Sequence, residues 1–246
     1  MSENTNKTKE GLVRELFKLG AHFSFARARQ HPSAGNFIFG YKNRHAVIDL
    51  EKTADSMDKA KDFIKSVGAT GGTLLFVGTK NEARDALTAA ASRIGMPFVV
   101  LHWVGGTLTN FKNIRRRIDR LAEIEEAART GELEQKYTKK ERLVIEKERV
   151  DLVRMFGNLA DLTKLPQVMV VVDSGAEAIA VTEARKVGMP VVALSGTDCD
   201  LKQVDYPVVG NDSSTPTIKW FLDEIASAYT AGKMEQKEVK EVKEVK

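Results

Sequence analysis

The feature that most restricts the fold is a plan that the chain runs through twice. Thr73–Val77 (TLLFV) is a short unbroken run of strand formers, and Gly78-Thr79-Lys80 follows as a turn. A helical stretch then spans Glu82 to Ile94, and Gly95-Met96-Pro97 leads into a second apolar run, Phe98–Leu101. The plan returns as Val168–Val172 (VMVVV), Asp173-Ser174-Gly175, a helical stretch from Ala176 to Val187, Gly188-Met189-Pro190 and Val191–Leu194. Strands that do not alternate apolar with polar residues must be covered on both faces. The plan therefore predicts parallel strands joined by crossover helices. Gly95 and Gly188 stand where a helix cap is wanted, and the proline two residues later forbids continuation.

Flanking segments extend the same sheet. Val47–Asp49 reads as a first short strand, followed by a helix from about Thr53 to Val67 that ends at Gly68. Near the C-terminus Thr215 reads as a helix N-cap with Pro216 at the first helical position, and Ile218, Phe221, Leu222 and Ile225 line one side of that helix. The expected architecture is α/β, a three-layer sandwich with a mostly parallel sheet of the flavodoxin-like or Rossmann-like kind.

Between the two repeats, after Trp103-Val104-Gly105-Gly106, the chain becomes highly charged from Asn110 to Arg154. Ile114, Ile118, Leu121 and Ile124 recur at steps of four, three and three, which predicts one apolar stripe on a helix over Asn110 to Arg129, ended by Gly131. Thr138 and Glu141 have the spacing of a capping box, and the helix that they start carries Ile145, Leu152, Phe156 and Leu159. Two amphipathic helices with a short connection pack as an antiparallel coiled-coil hairpin, each arm roughly 30 Å long at 1.5 Å per residue. The expected organisation is a sandwich over 1–104 and 159–232, an inserted hairpin over 105–158, and a charged tail over 233–246. That tail ends in Glu-Val-Lys units; it could form a solvated helix but has nothing with which to bury a core, so disorder is expected.

Composition bounds the function. A hydrophobic content of 42% suffices for a core, and no apolar run approaches the length of a membrane span. Met1 to Glu10 is polar and charged, unlike a secretory signal, and Cys199 is the only cysteine, so a cytoplasmic location is expected. The strand ends are where an enzyme of this architecture would bind a phosphorylated ligand, at Gly78-Thr79-Lys80 and Asp173-Ser174, but no phosphate-loop or dinucleotide motif occurs there. The four histidines lack metal-ligand spacing, and Asp198-Cys199-Asp200 reads as a polar loop with a reduced thiol. Glu177 and Glu183, six apart, do not share one side of a helix. The expectation is therefore no catalytic residue, no metal and no cofactor.

The charges do carry a binding signal. The net charge is only +4, yet no Asp or Glu falls between Leu16 and Ile48, where Lys18, Arg27, Arg29, Lys42 and Arg44 interleave with aromatic residues. That stretch is either a polyanion-binding surface or an ordinary basic surface beside core aromatics. Lys112, Arg115, Arg116, Arg117 and Arg120 form a ridge at the start of the hairpin, with the acids clustered after it rather than within it, which suits phosphate contacts along a folded RNA. Lys136, Lys139, Lys140 and Arg142 on the second arm are equally a solvated surface.

With those residues laid out, the chain resembles, from about Leu12 to Tyr229, the family of the second small-subunit ribosomal protein in its bacterial type. The resemblance rests on Leu19-Gly20-Ala21-His22-Phe23, on Asn36-Phe37-Ile38-Phe39-Gly40-Tyr41-Lys42-Asn43 with Val47–Thr53, and on Phe76–Lys80. Trp103–Phe111, the stretch from Pro166 through Asp173, Glu177 and Glu183 to Pro190, Val204–Pro207 and Gly210-Asn211-Asp212 complete it. Ser24-Phe25 stands where that family usually has Gly-His, and Ser174-Gly175-Ala176 replaces a longer, more basic run, which marks a divergent member. The resemblance implies a non-enzymatic ribosomal component bound to small-subunit rRNA between head and body. It also implies neighbouring small-subunit proteins as partners, recruitment of the first protein of that subunit, and no membrane.

Overall fold

The structure, a computed structural model, describes residues 2–244, with side chains described over 9–235. Its centre is a five-stranded parallel sheet of β4 (Leu74–Val77), β5 (Phe98–Val99), β6 (Val168–Val172), β7 (Val191–Ser195) and β8 (Tyr206–Val209), in the order β5-β4-β6-β7-β8. Both repeats thus lie in one sheet, side by side, as parallel pairing of buried runs requires. Alternate residues feed two separate cores. Leu74, Phe76, Val170 and Val192 join α1 (Ser2–Lys18), α2 (Leu50–Thr70), α3 (Asn81–Ile94) and α8 (Thr215–Glu244) on one side. Leu75, Val77, Met169, Val171 and Val191 share the other core with α4 (Phe111–Arg129), α6 (Lys139–Phe156) and α7 (Ala178–Lys186). The result is a three-layer α/β sandwich.

Two long helices, α4 and α6, form between the two repeats. Ile114, Ile118, Leu121 and Ile124 of α4 are all buried, as are Leu152, Phe156 and Leu159 on or just after α6, and Ile145 packs partly against them. Gly131, at φ +74°, turns the chain into a one-turn helix, α5 (Glu132–Lys136), before Thr138 and Glu141 close their capping box. Arg120 of α4 meets Glu148 of α6, and Arg142 of α6 meets Glu134 of α5. Their buried stripe belongs to the same core as the sheet's second side.

Several expectations need correction. Val47 and Ile48 are not in the parallel sheet. They belong to β3 (His45–Ile48), the middle strand of a separate antiparallel sheet with β1 (Phe23–Ala26) and β2 (Ile38–Lys42). Asp49 is no strand residue either; its carboxylate caps α2 by accepting from the Glu51 and Lys52 amides. That helix does not stop at Gly68 but runs to Thr70, with Gly71 at φ +72° as its cap; Gly68 is an interior residue packed on the Tyr229 backbone of α8. Thr215 already lies inside α8, because the Ile218 amide bonds to the Ser214 carbonyl. Within the segment read as a charged tail, α8 continues to Glu244, the helix that its sequence also allows, and Glu235 pairs with Lys65 at 2.5 Å. The last two residues of that tail, Val245 and Lys246, lie outside the described residues.

Candidate functional site

The chain leaves β4 for β5 on one side and returns to β6 on the other, so the loops after β4 and β6 flank the crevice where such a sheet would hold a ligand. The protein's own side chains fill it. The Lys80 ammonium lies 2.5 Å from the Asp173 carboxylate and 3.2 Å from that of Asp212, which follows the last strand of the sheet. Asp173 adopts a left-handed φ of +67°, and its Oδ1 accepts from the Gly175 and Ala176 amides that a phosphate would have used. Glu177 accepts from the Thr79 amide and hydroxyl at 2.8 and 2.6 Å. Three carboxylates against one ammonium repel a phosphate, so the rival reading of a phosphoryl-ligand enzyme loses its site.

Burial works against charge on Lys80, Asp173 and Asp212, but partners reverse it for two. The carboxylates hold the Lys80 pKa above its usual value, and the Lys80 contact together with the two amides holds Asp173 below the usual carboxylate range. Asp212, buried and beside the Asp173 charge, is pushed up to about 6. Its Oδ2 has no hydrogen bond of good geometry despite the nearby ammonium. Burial pushes the Cys199 thiol up to about 12, which leaves it inert as a nucleophile near neutral pH.

Helical spacing separates Glu177 from Glu183, and in the structure Glu177 precedes α7 and the two serve different loops. Glu183 is 6% exposed and receives five donors: Trp103 Nε1 (3.2 Å) and the Gly106 amide (2.7 Å) on Oε1, and the Leu108 amide (3.0 Å), Thr109 amide and Thr109 hydroxyl (3.2 Å each) on Oε2. Burial opposes ionisation, but the amides and the indole outweigh it and lower the pKa. The carboxylate thus sets the loop that leads into α4. Its sequence signal is the unusual donor-rich run Trp103–Thr109, but nothing local connects that run to a residue 74 or more positions away.

The basic residues divide into used and unused cations. Arg115 bonds to Asp119 and to the Ala160 and Leu162 carbonyls, which ties the root of α4 to the chain after α6. Arg120 is held by Glu148 and Glu123. Lys112, Arg116 and Arg117 are exposed and form no ion pair among the described residues. On the small sheet Arg27, Arg29, Lys42 and Arg44 are all exposed, and β1 meets the β2–β3 turn where the Arg27 amide bonds to the Arg44 carbonyl at 2.9 Å. Asn43 and Arg44 both have left-handed φ (+50° and +67°), the two-residue turn that suits a twisted hairpin. Arg27 lies over the Tyr41 ring at 5.0 Å and Arg29 over that of Phe25 at 4.9 Å, so cations and aromatic faces share one surface. No hydrogen bond or ion pair joins this group to the α4 ridge among the described residues.

Beside it lies an apolar surface: Phe39 is 81% exposed, and Phe17 and Phe23 are each 60% exposed on either side of His22, which stacks on Phe17 at 4.2 Å. Among the described residues no helix is long and apolar enough to cross a membrane.

Comparison with known proteins gives one answer. The family model described as "Ribosomal protein S2" matches residues 16–232. A protein of Acidothermus cellulolyticus named "Small ribosomal subunit protein uS2" is 41% identical over 222 residues, covering 90% of this chain and 81% of its own length. Proteins of the same name from Mycolicibacterium paratuberculosis (43% over 220 residues, 89% and 79% of the two chains) and Corynebacterium urealyticum (42% over 226 residues, 92% and 84%) are similar to it in the same way.

Proposed function

The chain belongs to the ribosomal protein S2 family, whose role is structural and not enzymatic, and from that premise we propose that it binds small-subunit rRNA between head and body of the bacterial ribosome, in the cytoplasm. The sandwich over 1–104 and 159–232 seats the protein, and the hairpin over 105–158 reaches along the RNA. The observation that carries the reading is the set of exposed cations without intramolecular ion pairs among the described residues: Arg27, Arg29, Lys42 and Arg44 on the small sheet, and Lys112, Arg116 and Arg117 on α4. Arg115 and Arg120 hold the arm in shape and meet RNA through what remains of their donors. Tyr41 and Phe25 add ring faces on which an unpaired base can stack next to the arginines. We assign recruitment of the first small-subunit protein to the exposed apolar surface of Phe17, Phe23 and Phe39.

The test is sedimentation. The protein is expected to travel with the small subunit and to be released by high salt, as a bond made mainly to phosphates requires. Free sedimentation at low salt, or salt-independent retention, overturns the reading.

A further inference from the structure

The outer side of α6 packs against neither core of the sandwich. Ile145, Leu152 and Phe156 turn toward the core shared with α4. Half a turn away, where an arm in water should be polar, Leu143 is 67% and Val150 52% exposed, with Val144 at 65% beside them. Lys140, Leu143, Lys147, Val150 and Arg154 recur at steps of three, four, three and four, the spacing of a coiled-coil seam. Its cations are exposed and form no ion pair among the described residues. No acid falls within the seam; of its two flanking acids, Glu146 is held by Arg149 at 2.7 Å and Asp151 forms no ion pair among the described residues.

We propose that this seam docks an amphipathic helix of a protein partner, with carboxylates opposite Lys140, Lys147 and Arg154 and aliphatic side chains over Leu143 and Val150. Only such a partner uses both halves of the pattern. RNA phosphates would draw on the cations but leave the two aliphatic positions uncovered, and two of the three seam cations are lysines rather than the arginines that fork onto phosphate. A lipid surface calls for an apolar stripe with Trp or Phe, whereas here a charge interrupts the stripe at every second seam position and no aromatic lies in it. An acidic amphipathic helix laid along α6 pairs each charge and covers each aliphatic. The inference does not rest on RNA contact by α4, which is a different helix.

A photoreactive benzophenone amino acid at Val150 of the full chain, irradiated in small subunits isolated at low salt, tests it. The expected product is one protein adduct whose crosslinked peptide carries acids and aliphatics at steps of three and four. Lys140→Glu, Lys147→Glu and Arg154→Glu together should lower its yield about tenfold or more, since like charges would then face each other. Lys112→Glu with Arg116→Glu and Arg117→Glu should leave the adduct in those subunits that retain the protein. An adduct to rRNA or lipid, an adduct indifferent to the α6 reversals, or none at all overturns the proposal.

Discussion

Glu183→Gln is the sharpest single perturbation of this fold, because it keeps the side chain's shape and removes only its charge and one acceptor. If the new amide NH2 takes the place of Oε1, it confronts Trp103 Nε1 and the Gly106 amide; if it takes the place of Oε2, it confronts the Leu108 and Thr109 amides. Either way at least two donors in a partly buried loop lose their acceptor. At about 1–3 kcal/mol for each unsatisfied buried donor, the loss is about 2–6 kcal/mol. For a chain of this length that corresponds to a fall in Tm on the order of 5–20 °C. Urea and thermal unfolding followed by circular dichroism measure the loss, and hydrogen exchange over 103–109 locates it. The pH dependence adds a sign. Because folding lowers the Glu183 pKa, its stabilisation is present above the unfolded carboxylate value and fades as pH falls through the folded one. The gap between wild type and variant should therefore narrow on acidification. A loss under about 1 kcal/mol, or a gap that widens in acid, would refute the claim that this carboxylate holds the loop.

Replacing Lys112, Arg116 and Arg117 with glutamine should reduce the slope of log affinity for small-subunit rRNA against log salt by about 2, at 0.7–0.9 per lost phosphate contact, with little change in stability. Arg115→Gln should do the reverse, loosening the root of α4 in hydrogen exchange while changing the slope by less than about 1. Asp212 has a raised folded pKa, about 6, so its contribution is full below the unfolded value and is lost as pH rises through 6. Asp212→Asn should abolish that decline in unfolding titrations between about pH 4 and 7, and a variant that still shows it would place the titration elsewhere. Gly68→Ala tests the α2–α8 contact: an alanine inside a helix ordinarily adds about 0.5–1 kcal/mol, but here its Cβ would strike the Tyr229 backbone, and a loss of about 1–3 kcal/mol is expected from chemical denaturation.

What is decided locally is legible in the sequence. The strands β4, β6 and β7 and the stripes of α4 and α6 are written in periodicity, and the caps at Gly95 and Thr138 in single residues, because neighbours along the chain decide them. Where a neighbour in space decides, the local pattern misleads. Gly68 looks like a stop, yet α8 needs a residue without a side chain there. Val47 and Ile48 look like one more parallel strand, but their partners are β1 and β2, and which strands pair depends on chain closure that no short window records. The basic ridge is legible as charge but not as function, since Arg115 and Arg120 spend donors on partners 28 or more positions away while their neighbours do not.

The sequence by itself therefore determined the strands β4 to β7, the helices α3, α4, α6 and α7 between and around them, and where positive charge accumulates. Only the tertiary structure decided that Lys80, Asp173 and Asp212 close the crevice at the strand ends and that Glu183 sets the root of the arm. The physical reason is range. Backbone propensity and amphipathic period act over a few residues, whereas a buried charge finds its partners only after the sheet has brought distant loops within about 3 Å.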